Sequence, residues 1–132
     1  MADRFGVLDA ASGVTVATHT AYTCPTGCSA KVRLMYRGVA GANSTLSILV
    51  NGMAIMLSGA LSSGNVSYSS VSKLHTSDAA ASIAGSADGT TIAPFQRDYF
   101  LSAGDTVQYT IGTAAFSSMD FQVVGIEAVL PT

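Results

Sequence analysis

Two cysteines, Cys24 and Cys28, bracket a Pro-Thr-Gly turn, and they are the only thiols in the chain. A zinc site wants about four ligands, and Cys₂His₂ sites space their histidines closely. The two histidines here, His19 and His75, stand far apart in sequence. The three residues between the cysteines also differ from the redox C-x-x-C spacing. Three readings remain: thiols packed at the start of a strand, a disulfide across the turn if the geometry allows, or half of a metal site. A cytosolic product favours the first.

Other catalytic constellations are thin. No G-x-S-x-G elbow is present to present a nucleophilic serine, and His19 and His75 are flanked by small residues, as loop histidines are. The carboxylates Asp3, Asp9, Asp78, Asp88, Asp98, Asp105, Asp120 and Glu127 occur singly, whereas glycosidases need a facing pair. No calcium loop or phosphate-binding loop appears. Sugar-binding sandwiches stack rings on the sugar, yet tryptophan is absent. Of the tyrosines, Tyr36, Tyr68 and Tyr109 fall in the inward phase of their strands. Tyr99, beside Arg97 and Asp98, is the one that could be exposed. The expectation is a protein that is not an enzyme and takes no metal or cofactor.

The elements that would position these residues alternate apolar and polar side chains, the period of a half-buried strand. The clearest is 30–37, with Val32, Leu34 and Tyr36 on one face and Lys31, Arg33, Met35 and Arg37 on the other. Others are 13–18, 21–23, 44–50, 53–57, a strand around Val66 and Tyr68, 97–101, 106–111 and 119–130. Asn51-Gly52 is a type I′ hairpin signal, because that turn needs positive φ at both central residues. The last strand changes phase: Phe121 and Val123 lead, then Val124, Ile126 and Ala128. Either a bulge at Gly125 resets the phase, or both faces of the strand's end are covered, one by a neighbouring subunit. Residues 76–93 read as a long loop with a short helix over 77–83, a place where binding can reside. The fold class expected is all-β, an antiparallel two-sheet sandwich of jelly-roll type with about eight strands. Residues 1–8 are a possible N-terminal arm on a single domain over 9–132.

The chain has 132 residues, 48% of them hydrophobic and only 11% charged, against about 25% charged in an ordinary domain. So weakly charged a surface suits coverage by other subunits, although a small-residue sandwich could simply carry little charge. Six basic residues and a net charge of −2 fall short of a nucleic-acid footprint. No apolar run reaches the ~18 residues of a membrane span. The start, Met1-Ala2-Asp3-Arg4, lacks a basic segment followed by an apolar one, so a protein made and kept in a cytoplasm until assembly is expected.

Three stretches carry a resemblance. Tyr22-Thr23-Cys24-Pro25-Thr26-Gly27-Cys28-Ser29-Ala30-Lys31-Val32-Arg33-Leu34 resembles an aromatic-Thr-x-Pro-x-Gly turn leading into an Ala-Lys-Val-x-Leu strand. Val50-Asn51-Gly52 and Leu101-Ser102-Ala103-Gly104-Asp105-Thr106-Val107-Gln108-Tyr109 follow in the same order. Together they cover about a third of the chain and are similar to small β-sandwich structural proteins of tailed bacteriophages. Cys24 and Cys28 depart from that pattern. The resemblance implies a virion component, foremost a capsid decoration or cement protein that stabilises the shell as a homo-oligomer. A trimer is favoured by the three-fold points of an icosahedral shell. The partners implied are further copies of the chain and the major capsid protein, with no nucleic acid and no membrane. A receptor- or carbohydrate-binding module of a tail fibre or tail tip is the alternative. Arg4, Phe5, Arg33 and Arg37 are the expected interface residues.

Overall fold

A computed structural model describes residues 2–57, 64–69 and 98–131. It is a sandwich of two antiparallel sheets. The larger holds five strands in the order β1 (Arg4–Ala11), β9 (Ser118–Val129), β3 (Cys28–Ala40) and then, side by side on the far edge of β3, β6 (Gly64–Ser69) and β7 (Tyr99–Leu101). The smaller runs β2 (Thr18–Thr23), β8 (Thr106–Gly112), β4 (Thr45–Val50), β5 (Met53–Leu57). Apart from the β4–β5 hairpin and the step from β6 to β7, each connection passes from one sheet to the other. That is the winding of a jelly roll. The described strands number nine because two share the place beside β3.

The expected alternation decides which side chains meet. Val32, Leu34 and Tyr36 of β3, Leu46 and Ile48 of β4, Val107, Tyr109 and Ile111 of β8, and Phe121 and Val123 of β9 are all buried between the sheets. Phe121 stacks on Tyr109 with centroids 5.0 Å apart and on Tyr36 at 5.8 Å, linking the two layers. Each such side chain contributes about 1.5–3 kcal/mol by leaving water. Asn51 and Gly52 take φ of 51° and 77°, the type I′ turn read from the sequence.

Several expectations are corrected. Residues 13–18 are not a strand: the strand opens at Thr18, and 12–17 carry the chain from one sheet to the other. Their alternation fits a connection pinned by single bonds, the Ile111 amide to the Ala17 carbonyl and the Phe116 amide to the Val14 carbonyl. Strand β3 runs on to Ala40, past the loop expected from Gly38, because Gly38 lets it lie against the Ser118 carbonyl where a Cβ would overlap. No bulge breaks β9 at Gly125. Its register with β3 is continuous from Ser118 to Val129, and the irregularity lies in β1, between Val7 and Asp9. The stretch expected as an arm is, from Arg4 onward, the edge strand β1 paired to β9. The loop and helix expected over 76–93 and 77–83, together with His75, lie outside the described residues.

On the outer surface of the smaller sheet, β2 and β8 carry a polar patch. Thr18 and Thr110 share a hydrogen bond of 2.8 Å, and Gln108 donates to Thr20 at 3.0 Å.

Candidate interface on the outer face of the larger sheet

Strand pairing turns sequence spacing into rows across the sheet. One row reads Phe5, Ile126, Lys31, Phe100 across β1, β9, β3 and β7. The next reads Val7, Val124, Arg33, with Asp98 beside Arg33. All seven lie on the side turned away from the core. Phe5 is 86% exposed, Phe100 76%, Val7 58% and Ile126 43%. Lone exposed apolar residues are ordinary, but a contiguous group is not. Below the group, Ala10, Gln122 and Met35 form a third row, and Asp120 stands opposite Arg37 further along.

The charges beside the apolar group neutralise one another in part. Arg33 Nε donates to Asp98 Oδ1 at 2.5 Å and Lys31 Nζ lies 3.4 Å from Oδ2. The Arg33 hydrogen bond, more than any other influence, holds the Asp98 carboxyl below its usual range. A fixed carboxylate between two cations leaves their aliphatic stems free to flank the aromatic rings.

Three of the four expected interface residues share this face. Phe5 and Arg33 belong to the apolar group or its rim, and Arg37 lies at the far end, lining an open depression of about 380 Å³ with Gly38, Val39, Ser118, Met119 and Asp120. Arg4 does not join them. It points to the other side of β1 and forks onto Glu127, Nε and Nη2 each 2.8 Å from a carboxylate oxygen. Tyr22 donates its hydroxyl to the same carboxylate at 2.6 Å. The Arg4 bonds first, and Tyr22 second, pull the Glu127 carboxyl down to about 2. Sequence reading missed Phe100, placed Val7 only within the expected arm, and gave Val124 and Ile126 as one of two alternatives, a strand end covered by a neighbouring subunit. The second face of β9 at that end carries Val124 and Ile126, both turned away from the core.

The remaining chemical candidates are placed as structure. Cys24 and Cys28 are buried thiols, with Cys24 Sγ 3.5 Å from the Cys28 carbonyl. Burial raises the Cys24 thiol above its ordinary value. His19 donates from Nε2 to the Thr15 carbonyl at 2.9 Å and packs on the Tyr109 ring. Among the described residues no three His, Cys, Asp or Glu side chains converge as metal ligands would. Tyr99 is half-buried against the core.

The three stretches quoted for the phage resemblance meet at one end of the sandwich. The Cys24 amide donates to the Asp105 carbonyl at 2.9 Å, the Gly104 amide to the Cys24 carbonyl at 2.8 Å, and the Asn51 amide to the Thr106 carbonyl at 2.7 Å. Turn chemistry at these positions therefore serves one another's backbone groups. Comparison with known proteins adds no relative: no family model, no curated protein and no solved structure matches the chain.

Proposed function

We propose that this protein is a non-enzymatic structural component of a tailed-phage virion, a decoration or cement protein that strengthens the capsid shell. The observation that carries the reading is the open apolar group Phe5, Val7, Val124, Ile126 and Phe100 on one sheet face. It is backed by the low charge of the chain and by the resemblance in its three turn-and-strand stretches. A rigid jelly roll with one dry face suits the seams between shell subunits. Binding only the assembled shell would stabilise it by mass action, by an amount that grows with the logarithm of free protein over Kd.

Counting copies in purified particles tests the reading. A cement protein is present in hundreds of copies over the shell. A few copies at one vertex would assign it to the tail, and absence from particles would end the proposal. Arg33→Ala with Arg37→Ala should lower shell occupancy; unchanged occupancy would remove both from the contact.

A further inference from the structure

The row Phe5, Ile126, Lys31, Phe100 begins and ends with a phenylalanine, and each ring stands well out of the sheet. A two-fold axis lying along the strands, between β9 and β3, carries this row onto itself. Phe5 of one copy then falls on Phe100 of the other, and Ile126 on the aliphatic stem of Lys31. Isologous contacts of this kind, where one residue meets a second and the second meets the first, are how most soluble homodimers close. From this self-complementary row we infer that the outer face of the larger sheet is covered by a second copy of the same chain. The inference rests on the reading of this face as an assembly surface; with that face taken by the second copy, the dimer would meet a shell through its remaining surface, Arg37 included.

Size fits that occupant. Four strands about 4.8 Å apart and three rows about 6.8 Å apart span a plane of roughly 400 Å². Two interleaved phenylalanines, with ~150 Å² or more each to bury, bring the loss to the order of 700 Å² per copy. A standard interface takes about 800 Å² per partner. Ala128 and Ser29, opposite one another in the row on the far side of Phe5, are small enough to let two sheets approach to the ~10 Å of face-to-face packing. Lys31 and Arg33 share the one carboxylate of Asp98, so each face brings a single net positive charge to the contact. Arg37, about 20 Å along the strands from the Phe5 row, stays outside the contact, where it remains open to a shell. The symmetry of the row favours a two-fold partner over the three-fold one expected from shell geometry alone.

Sedimentation velocity of the full chain from about 1 to about 100 µM tests the inference. A dimer is expected, and Phe100→Asp or Phe5→Asp, both at exposed positions and each placing two carboxylates in the symmetric contact, should weaken it about 100-fold, with circular dichroism unchanged. Mixed Phe5→Cys and Phe100→Cys chains should be joined by a short bis-maleimide that spans the ~10 Å between packed sheets, a link that neither variant alone should give. A monomer at 100 µM, a trimer, or a dimer indifferent to both charge substitutions would overturn the inference. Shell occupancy read on particles in parallel separates the two proposals, since a monomer that still decorates shells ends the dimer and leaves the function standing.

Discussion

Arg4, at the beginning of the first strand, closes on Glu127 near the end of the last, with two hydrogen bonds of 2.8 Å. The pair fastens the edge strand to its neighbour across almost the whole length of the chain. Glu127 is 3% exposed at its side chain while Arg4 remains half open. The carboxylate therefore depends on Arg4 and Tyr22 for the charge and hydrogen bonds it would have had from water.

Stability should fall in acid because of this group. Its folded value, about 2, lies below the ordinary carboxylate value. The native state therefore holds the proton less tightly than the unfolded chain, and the stabilisation is complete above the unfolded value. It is lost as pH drops from about 5 through about 2. Urea midpoints measured across that range should decline in the wild type. In Glu127→Gln the decline should be shallower.

Tyr22→Phe removes the hydroxyl bonded to Glu127 while keeping the buried ring. A hydrogen bond to a charged group is worth about 1.5–3 kcal/mol, and chemical denaturation should show a loss of that order. A loss below about 0.5 kcal/mol would mean that Arg4 alone satisfies the carboxylate.

Phe121→Ala and Phe100→Ala separate core from surface. The first empties the stack between Tyr36 and Tyr109 and should cost about 3–5 kcal/mol. The second trims a ring that stands in water and should change monomer stability by no more than about 0.5 kcal/mol. Equal effects would contradict the assignment of the two faces.

Gly125→Ala should be far worse than Gly52→Ala. Gly125 has φ of 154°, and a Cβ there would overlap the Lys31 carbonyl oxygen; Gly52 has φ of 77° with open space around it. The Gly52 change should cost on the order of 1 kcal/mol, the usual penalty for the left-handed region. The Gly125 change should part β9 from β3 and leave little soluble folded protein.

Ellman's reagent should reach Cys24 and Cys28 slowly in the native protein and titrate two thiols once it is unfolded. Both are buried, and burial keeps Cys24 in its unreactive protonated form. No colour on unfolding would show that the pair is oxidised to a disulfide.

Much of this architecture was legible because a sheet with one buried side imposes a period of two. Val32, Leu34, Tyr36, Leu46, Ile48, Val107, Tyr109 and Ile111 declared their direction in this way. Asn51-Gly52 declared its turn through φ. The reading failed where two signals coincide. Val14 and Val16 alternate with threonine as a strand would, yet they bridge two sheets, their path pinned by bonds from Ile111, Phe116, Tyr109 and His19. The first strand was obscured because Phe5 and Val7 face outward, so β1 shows no polar exterior to mark its period. The same property left the candidate interface only partly visible, at Phe5 and at the Val124–Ile126 end of β9: a residue exposed in one copy and covered in an assembly has the composition of core. Arg4 misled for the opposite reason, since nothing near it in sequence announces Glu127.

The two broad sides of the molecule differ in kind, hydroxyls and an amide on β2 and β8 of the smaller sheet, rings and branched aliphatics on the larger. A layer assembled with the greasy sides inward would therefore acquire a fixed sense. Its outer coat would then carry the threonines and glutamine of β2 and β8, uncharged and indifferent to salt.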